Sequence, residues 1–291
     1  DGNSPSSMED SKKHSEAFNL YELPFTDMTF DFDVKHFIYH RLDLQNIRAK
    51  FRANENHYLY VDKLNIDAAG GNIQMDGYFN GSDPKHIYLK PNLQLKNVDL
   101  DKLLFKFENF GQDAIVSENL HGKLNALIKG KIRVYPDMIP DIDQSEIHMD
   151  VEVLNGRLEN YEYMLMLSDY FGDKNLNSVQ FDTLQNHMDI TNGKLSIPNM
   201  TIESTLGHFE LAGSQDMDFN MDYYLKIPWS VIKKGARYKI FGKKKTKNKQ
   251  KEEKDQIIEV DPTKKTRFLN LKIFGNLDDY KITLGKKKRK R

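Results

Sequence analysis

Apolar and polar residues alternate with a period of two through most of this chain. Successive side chains on a strand point to opposite faces, so this pattern means strands with one apolar and one polar face. Met28, Phe30, Phe32 and Val34 alternate with Thr29, Asp31, Asp33 and Lys35. Ile47, Ala49, Phe51 and Ala53 repeat the habit, as do Leu59 and Val61, then Leu64 and Ile66. Ile73 and Met75 follow the pair Gly70-Gly71, and Ile87, Leu89, Leu93 and Leu95 continue the series. Later come Ala126 and Ile128, the run Ile147 to Val153, and Met188 to Ile202. Phe209 and Leu211 follow Gly207, and Met217 to Ile227 alternates over eleven residues. The series closes with Leu269, Leu271 and Ile273, then Ile282 and Leu284. The connections are short and carry Gly, Asn or Asp, which implies antiparallel neighbours, because parallel strands need long crossovers. The expected fold is mainly β: a long, curled antiparallel sheet of repeated strand units with two or three short amphipathic helices.

Three stretches leave the pattern. Asp99 to Phe110 places Leu100, Leu103, Leu104 and Phe107 on one helical face. Asn160 to Phe171 reads as a second short helix, and Trp229 to Phe241 as a weaker third. Residues 1–22 are rich in Ser, Asn, Lys and Glu and read as a disordered arm. The β-domain is expected over 27–284, with a lysine-rich disordered insertion at 242–256 and a basic tail at 286–291.

Charge is unevenly placed. The chain has 43 basic and 43 acidic residues. The insertion and the tail together hold 13 of the basic residues and three of the acidic ones, leaving a body net negative by ten. That argues against nucleic acid as a partner of the body. The lysine runs suit either an anionic membrane surface or plain solvation. Absence of cysteine excludes disulfides, thiol nucleophiles and cysteine-held zinc.

Part of the pattern occurs twice. Asn65 to Gly77 aligns without gaps with Thr201 to Gly213 at an offset of 136. Ile66 matches Ile202, Gly71 matches Gly207, Ile73 matches Phe209, Met75 matches Leu211 and Gly77 matches Gly213. The match extends back to Leu59 with Leu195, Val61 with Ile197 and Leu64 with Met200. A repeated strand unit that lengthens one sheet is the favoured explanation; the self-similarity of any β-meander with glycine turns is the other. A one-sided sheet of a dozen strands must then cover its apolar face. Two or three short helices cannot do so. The sheet must close, fold on itself or bind something apolar, and a curled sheet with its apolar face inward is a groove suited to acyl chains.

The run Leu158 to Tyr161, Leu167 to Gly172, Asn192 to Gly207, Phe209 to Ser214 and Tyr223 to Trp229 resemble the C-terminal region of AsmA-like proteins, in particular the Bacteroidetes-type members. Phe274 to Asp279 with Ile282 fits the closing strands of that family, and the resemblance spans about Leu42 to Leu284. AsmA-like proteins are similar to TamB and to bridge-like lipid-transfer proteins. The resemblance implies a periplasmic β-groove, anchored to the inner membrane by a segment missing from this chain. It implies non-enzymatic binding or transfer of phospholipid, in support of outer-membrane assembly or integrity. It departs from the family in lacking the anchor and in carrying the lysine-rich insertion. On this reading Ile66, Ile73, Met75, Ile202, Phe209, Leu211, Phe219, Met221, Tyr223 and Leu225 line the groove and touch acyl chains. A closed hydrophobic core explains the alternation equally well, and would make the protein an envelope scaffold that acts by binding protein partners.

Catalytic and metal signatures are weak. The sequence has no G-x-S-x-G, H-E-x-x-H, Walker loop or G-x-G-x-x-G. His36 and His40 are close in sequence, and Asp137, Asp141 and Asp143 lie near a proline. Neither set has the spacing of a known metal loop. Acidic residues are spread evenly rather than paired, which disfavours a carbohydrate-active enzyme. No cofactor is expected.

Overall fold

A computed structural model describes residues 20–22, 24–39, 42–106, 116–165, 167–168, 170–171, 175–232, 257, 267–276 and 279–285. The expected insertion at 242–256, the tail at 286–291 and nearly all of the arm lie outside them, as do His40, Phe107 and residues 233–241. Thirteen strands form one antiparallel sheet, not closed into a barrel, in which each strand lies beside the next in sequence. The strands are β1 (Met28–Tyr39), β2 (Leu42–Ala53), β3 (Tyr58–Ala68), β4 (Gly71–Asn80) and β5 (Ile87–Asp99). A short helix α1 (Leu100–Lys106) precedes β6 (Leu120–Val134) and β7 (Pro140–Glu159). A single helical turn α2 (Glu162–Leu165) precedes β8 (Ser178–Thr191), β9 (Lys194–Ser204), β10 (Gly207–Asp216) and β11 (Met221–Pro228). β12 (Phe268–Gly275) and β13 (Tyr280–Leu284) end the order. This is the mainly-β, antiparallel architecture that the alternation implies.

The chain forms two compact units. Unit 1 takes residues 1–98, 125–150 and 188–195, and unit 2 takes 99–124, 151–187 and 196–291. Strands β6 to β9 run through both.

The alternation breaks parity in places, and each break is a bulge. In β2 the apolar series steps from Leu44 to Ile47, and Asn46 between them has φ 50°. The register against β3 shifts by one residue at the same point. An extra residue in the left-handed region puts Leu44 and Ile47 on one face although they are three apart. Asparagine tolerates that conformation because its short polar side chain bonds locally; here Asn46 Nδ2 donates to Asp67 Oδ2 at 2.8 Å. Asn97 (φ 54°) does the same between the buried Leu95 and Val98 of β5, and Asn155 (φ 50°) between Val153 and Gly156 of β7. A fourth shift falls between Val61 and Leu64 of β3.

One expectation is corrected. Met217 and Phe219 do not belong to the strand of Tyr223 and Leu225. The eleven-residue alternation is a turn over 217–220 followed by β11. The turn closes because Asp216 and Asn220 bond reciprocally: the Asp216 carboxylate accepts the Asn220 N–H at 2.8 Å, and the Asp216 N–H donates to the Asn220 carbonyl at 3.1 Å. Phe219 then takes φ 60°, in the left-handed region that a bulky aromatic residue rarely adopts.

The sequence windows 99–110 and 229–241 run on into residues outside the described ones. In α1 the apolar face is buried at Leu100, Leu103 and Leu104, as the spacing requires. Asp99 ahead of it binds the ammonium groups of Lys102, at 2.6 Å, and Lys123. Burial pushes the Asp99 carboxyl up, but those two partners outweigh it and hold the group below its ordinary value. Trp229–Val231 is one 3-10 turn.

Candidate functional site

The registers of β1 to β5 set the apolar residues of unit 1 in rows. Phe32 faces Ala49, Ala49 faces Leu64, Leu64 faces Met75, and Met75 faces Leu93. The neighbouring row runs Phe30, Phe51, Val61, Gly77 and Pro91. A third runs Met28, Ala53, Leu59, Phe79 and Leu89. On the other side Val34 faces Ile47, and Ile66, Ile73 and Leu95 continue across β3 to β5. Opposed residues of antiparallel strands share a face, so these rows make one apolar surface five strands wide. At about 4.8 Å per strand that is roughly 19 Å across. No row contains a charged side chain.

Exposure varies along this surface. Ala49, Val61, Phe79 and Leu95 are buried. Phe51, Leu64, Ile66, Ile73, Met75 and Leu93 are half-buried, and Phe30 and Phe32 on β1 are exposed at 38% and 46%. Their rings are 6.1 Å apart, and Phe32 meets Phe51 edge-on at 5.8 Å. One end of the surface is closed. Phe79, Ile87 and Val134 form a buried cluster, and Tyr21 and Phe25 pack against it. The Tyr21 hydroxyl donates to the Gly81 carbonyl, and the Tyr21 and Phe25 rings lie 4.9 and 4.7 Å from His57. Burial pushes the Tyr21 phenol above its ordinary value. This short N-terminal segment thus acts as an end wall.

The ten nominated residues divide between the units. Ile66, Ile73 and Met75 lie together on the half-open surface of unit 1. Ile202 and Phe209 are buried in unit 2, as are Met221 and Leu225. Leu211 is half-buried and faces Leu225, which faces Leu271 and then Leu284. Tyr223 faces Gly213 and Ile273, and its hydroxyl donates to Gln215 Oε1 at 3.2 Å. Phe219 sits in the turn. The face of unit 2 is filled over β11 and β12, where Leu225, Ile227 and Leu271 are 4%, 0% and 1% exposed, and opens at β13, where Leu284 is 50% exposed. Phe30, Phe32, Leu64 and Leu93 share the surface of Ile66, Ile73 and Met75 and are not among the ten. Their signal was present as strand alternation; which apolar stripes stay open is a matter of tertiary cover.

The histidines and acids bond locally. His36 Nε2 lies 3.0 Å from Asp43. Asp141 and Asp143 belong to β7, where Asp141 is buried and accepts the Gln144 N–H at 3.3 Å. His148 Nδ1 lies 2.6 Å from Asp189, and its Nε2 lies 3.3 Å from Glu146. The bond to Asp189, with help from Glu146, raises the His148 pKa.

No protein-family model matches this chain, no curated protein matches it, and no solved structure matches it. Among the described residues no helix is long and apolar enough to cross a membrane.

Proposed function

We propose that this chain binds or transfers phospholipid without chemistry, its acyl chains lying on the apolar face of unit 1. The observation that carries the reading is that face: rows from five strands, half of it open, with no charge in it. Contiguous apolar patches of this kind mark binding surfaces. Each Å² of it removed from water is worth about 25 cal/mol. The attraction is non-directional, so an acyl chain can slide along the rows without breaking specific bonds. Met75 adapts its shape to a moving partner. The resemblance to AsmA-like proteins supports the same reading and supplies its setting: the periplasm, with an inner-membrane anchor outside this chain and a role in outer-membrane assembly or integrity. The lysines of 242–256 would add attraction to anionic headgroups.

The scaffold reading has one observation in its favour, the filled face of unit 2. We assign the two roles to different places: unit 2 is the self-filled end and unit 1 the lipid-bearing one. Native mass spectrometry of the purified chain, with organic extraction and lipid analysis of the same sample, tests this. Phospholipid at a defined stoichiometry is the expected result. A folded, lipid-free chain that gains no mass from added phospholipid would favour the scaffold.

A further inference from the structure

The opposite face of unit 1 is as organised as the apolar one. Tyr58, Tyr60 and Tyr78 form a ladder, with ring centroids 5.9 to 6.4 Å apart. Arg52 faces Tyr60 across the strands, Tyr60 faces Tyr78, and Tyr78 faces Lys90. The Arg52 guanidinium stands 4.9 Å above the Tyr60 ring, and Lys90 Nζ stands 5.5 Å above Tyr78. Lys131 Nζ and the Arg133 guanidinium stand 3.9 and 5.5 Å from the Tyr88 ring. Arg52 is already neutralised by Asp62, which it grips through two nitrogens. Among the described residues Lys90, Lys131 and Arg133 form no ion pair with a carboxylate, and the buried Arg133 Nη1 has no hydrogen-bond partner. Further along the same strands lies a depression of about 390 Å³. Gln74, Asp76, Asn92, Gln94 and Lys129 line it, together with Asp62, Lys63 and the apolar Leu64, Met75 and Leu127. Asn92 Nδ2 donates to Asp76 at 2.9 Å, which leaves its carbonyl oxygen open to a ligand hydroxyl.

These parts fit one ligand class. Tyrosine faces offer flat, amphipathic contact to the C–H face of a sugar ring. Side-chain amides and carboxylates, with donors and acceptors close together, match vicinal hydroxyls. Cations partnered only by aromatic rings leave positive charge for an anionic group. We infer that the polar face of unit 1 binds an acidic oligosaccharide, with the tyrosine ladder as platform, Lys90, Lys131 and Arg133 holding carboxylates or phosphates, and the depression holding the adjoining sugar. The tyrosine ladder and its cations lie opposite the acyl-chain rows, so substitutions at Tyr78, Lys90 and Lys131 test this inference apart from the lipid reading.

Calorimetric titration of the full chain with a tetrameric oligogalacturonate tests the inference, with a neutral cello-oligosaccharide of the same length as control. The acidic sugar should bind at about millimolar affinity or better, and the neutral one about tenfold more weakly. Tyr78→Ala, and separately Lys90→Gln with Lys131→Gln, should each cost about tenfold while the fold and the lipid content stay unchanged. Rising salt should weaken binding. No heat with the acidic sugar, equal binding of the neutral one, or indifference to both variants would overturn it. So would tighter binding of phosphatidylglycerol vesicles or of oligo-dT through the same residues, since the face would then serve a membrane or a nucleic acid.

Discussion

The hairpins β3–β4 and β9–β10 are the same backbone unit used in two ways. At an offset of 136 residues their boundaries coincide: Tyr58–Ala68 with Lys194–Ser204, and Gly71–Asn80 with Gly207–Asp216. Each has a three-residue step in its first strand, Val61 to Leu64 and Ile197 to Met200. Each has a glycine in its second strand at positive φ, Gly77 at 142° and Gly213 at 151°. A Cβ at either would sit 2.2 Å from a carbonyl oxygen of the next strand, Lys90 or Asp222. The side chains differ in cover. Leu64, Ile66 and Ile73 are half-buried in the first copy, and Met200, Ile202 and Phe209 are buried in the second. The turn of the first copy exposes Gly70, and that of the second buries Leu206 to 1%. Ser204 Oγ donates to the Gly207 carbonyl at 3.0 Å, and Thr205 Oγ1 accepts the Gln180 N–H at 3.2 Å, fastening that turn inside. A sheet unit of this kind specifies its own register; whether its apolar face is a core or a surface depends on what lies over it.

A charge placed on each copy's face separates them most. Leu225→Glu puts a carboxylate among filled neighbours and should cost about 4 kcal/mol or more, enough to unfold a marginal domain. Met75→Glu should cost about 1 kcal/mol or less, because a half-open face lets the carboxylate reach water. Its main effect should be loss of bound phospholipid. Thermal melts and lipid content of the two variants read both effects.

Gly77→Ala and Gly213→Ala sharpen the comparison from the other side. Each meets a carbonyl of the next strand at the same distance in the same strained region, so each should lose roughly 2–4 kcal/mol. Denaturant titration should give values alike within about 1 kcal/mol. A large cost at only one would break the structural equivalence of the repeats.

Asn46→Ala is a smaller test, peculiar to the first unit. It removes a residue suited to positive φ and its bond to Asp67, for a loss of about 1 kcal/mol. It should also raise the Asp67 pKa, since the bonds from Asn46 and Asn72 hold that carboxyl below its ordinary value. Carboxyl-selective NMR titration would show the change.

The smallest expected effect is a pH dependence at His148. Its pKa is raised in the folded state by Asp189 and Glu146. Protonation therefore favours the folded state; the contribution is full below about pH 6.5, the unfolded value, and is lost as pH rises through the raised folded value. Asp189→Asn should lower the His148 pKa seen by NMR and flatten that slope in the stability profile.

Much of this was legible in the residues. Period-two alternation marked the strands, and the ungapped match of Asn65 to Gly77 with Thr201 to Gly213 marked two hairpins whose boundaries coincide. The parity breaks stood in the residues but went unread: Leu44 to Ile47 and Leu95 to Val98 each skip an asparagine. The turn at 217–220 was hidden, because Met217 and Phe219 keep the apolar alternation while Asp216 and Asn220 close the loop. Cover was also hidden. Ile73 and Phe209 are equivalent in sequence, yet the first is half-buried and the second buried, and the cover that Tyr21 and Phe25 give Phe79 likewise comes from outside the repeat. The tyrosine ladder was out of reach of a one-strand reading, because Tyr60 and Tyr78 meet only once register is set.

Site-specific photocrosslinking addresses the central claim most directly. A photoreactive amino acid placed at Met75, and in a second protein at Leu225, is activated in the lipid-containing chain, and adducts are read by mass spectrometry. The account predicts a phospholipid adduct at Met75 and none at Leu225. No adduct at Met75, or equal adducts at both positions, would contradict it.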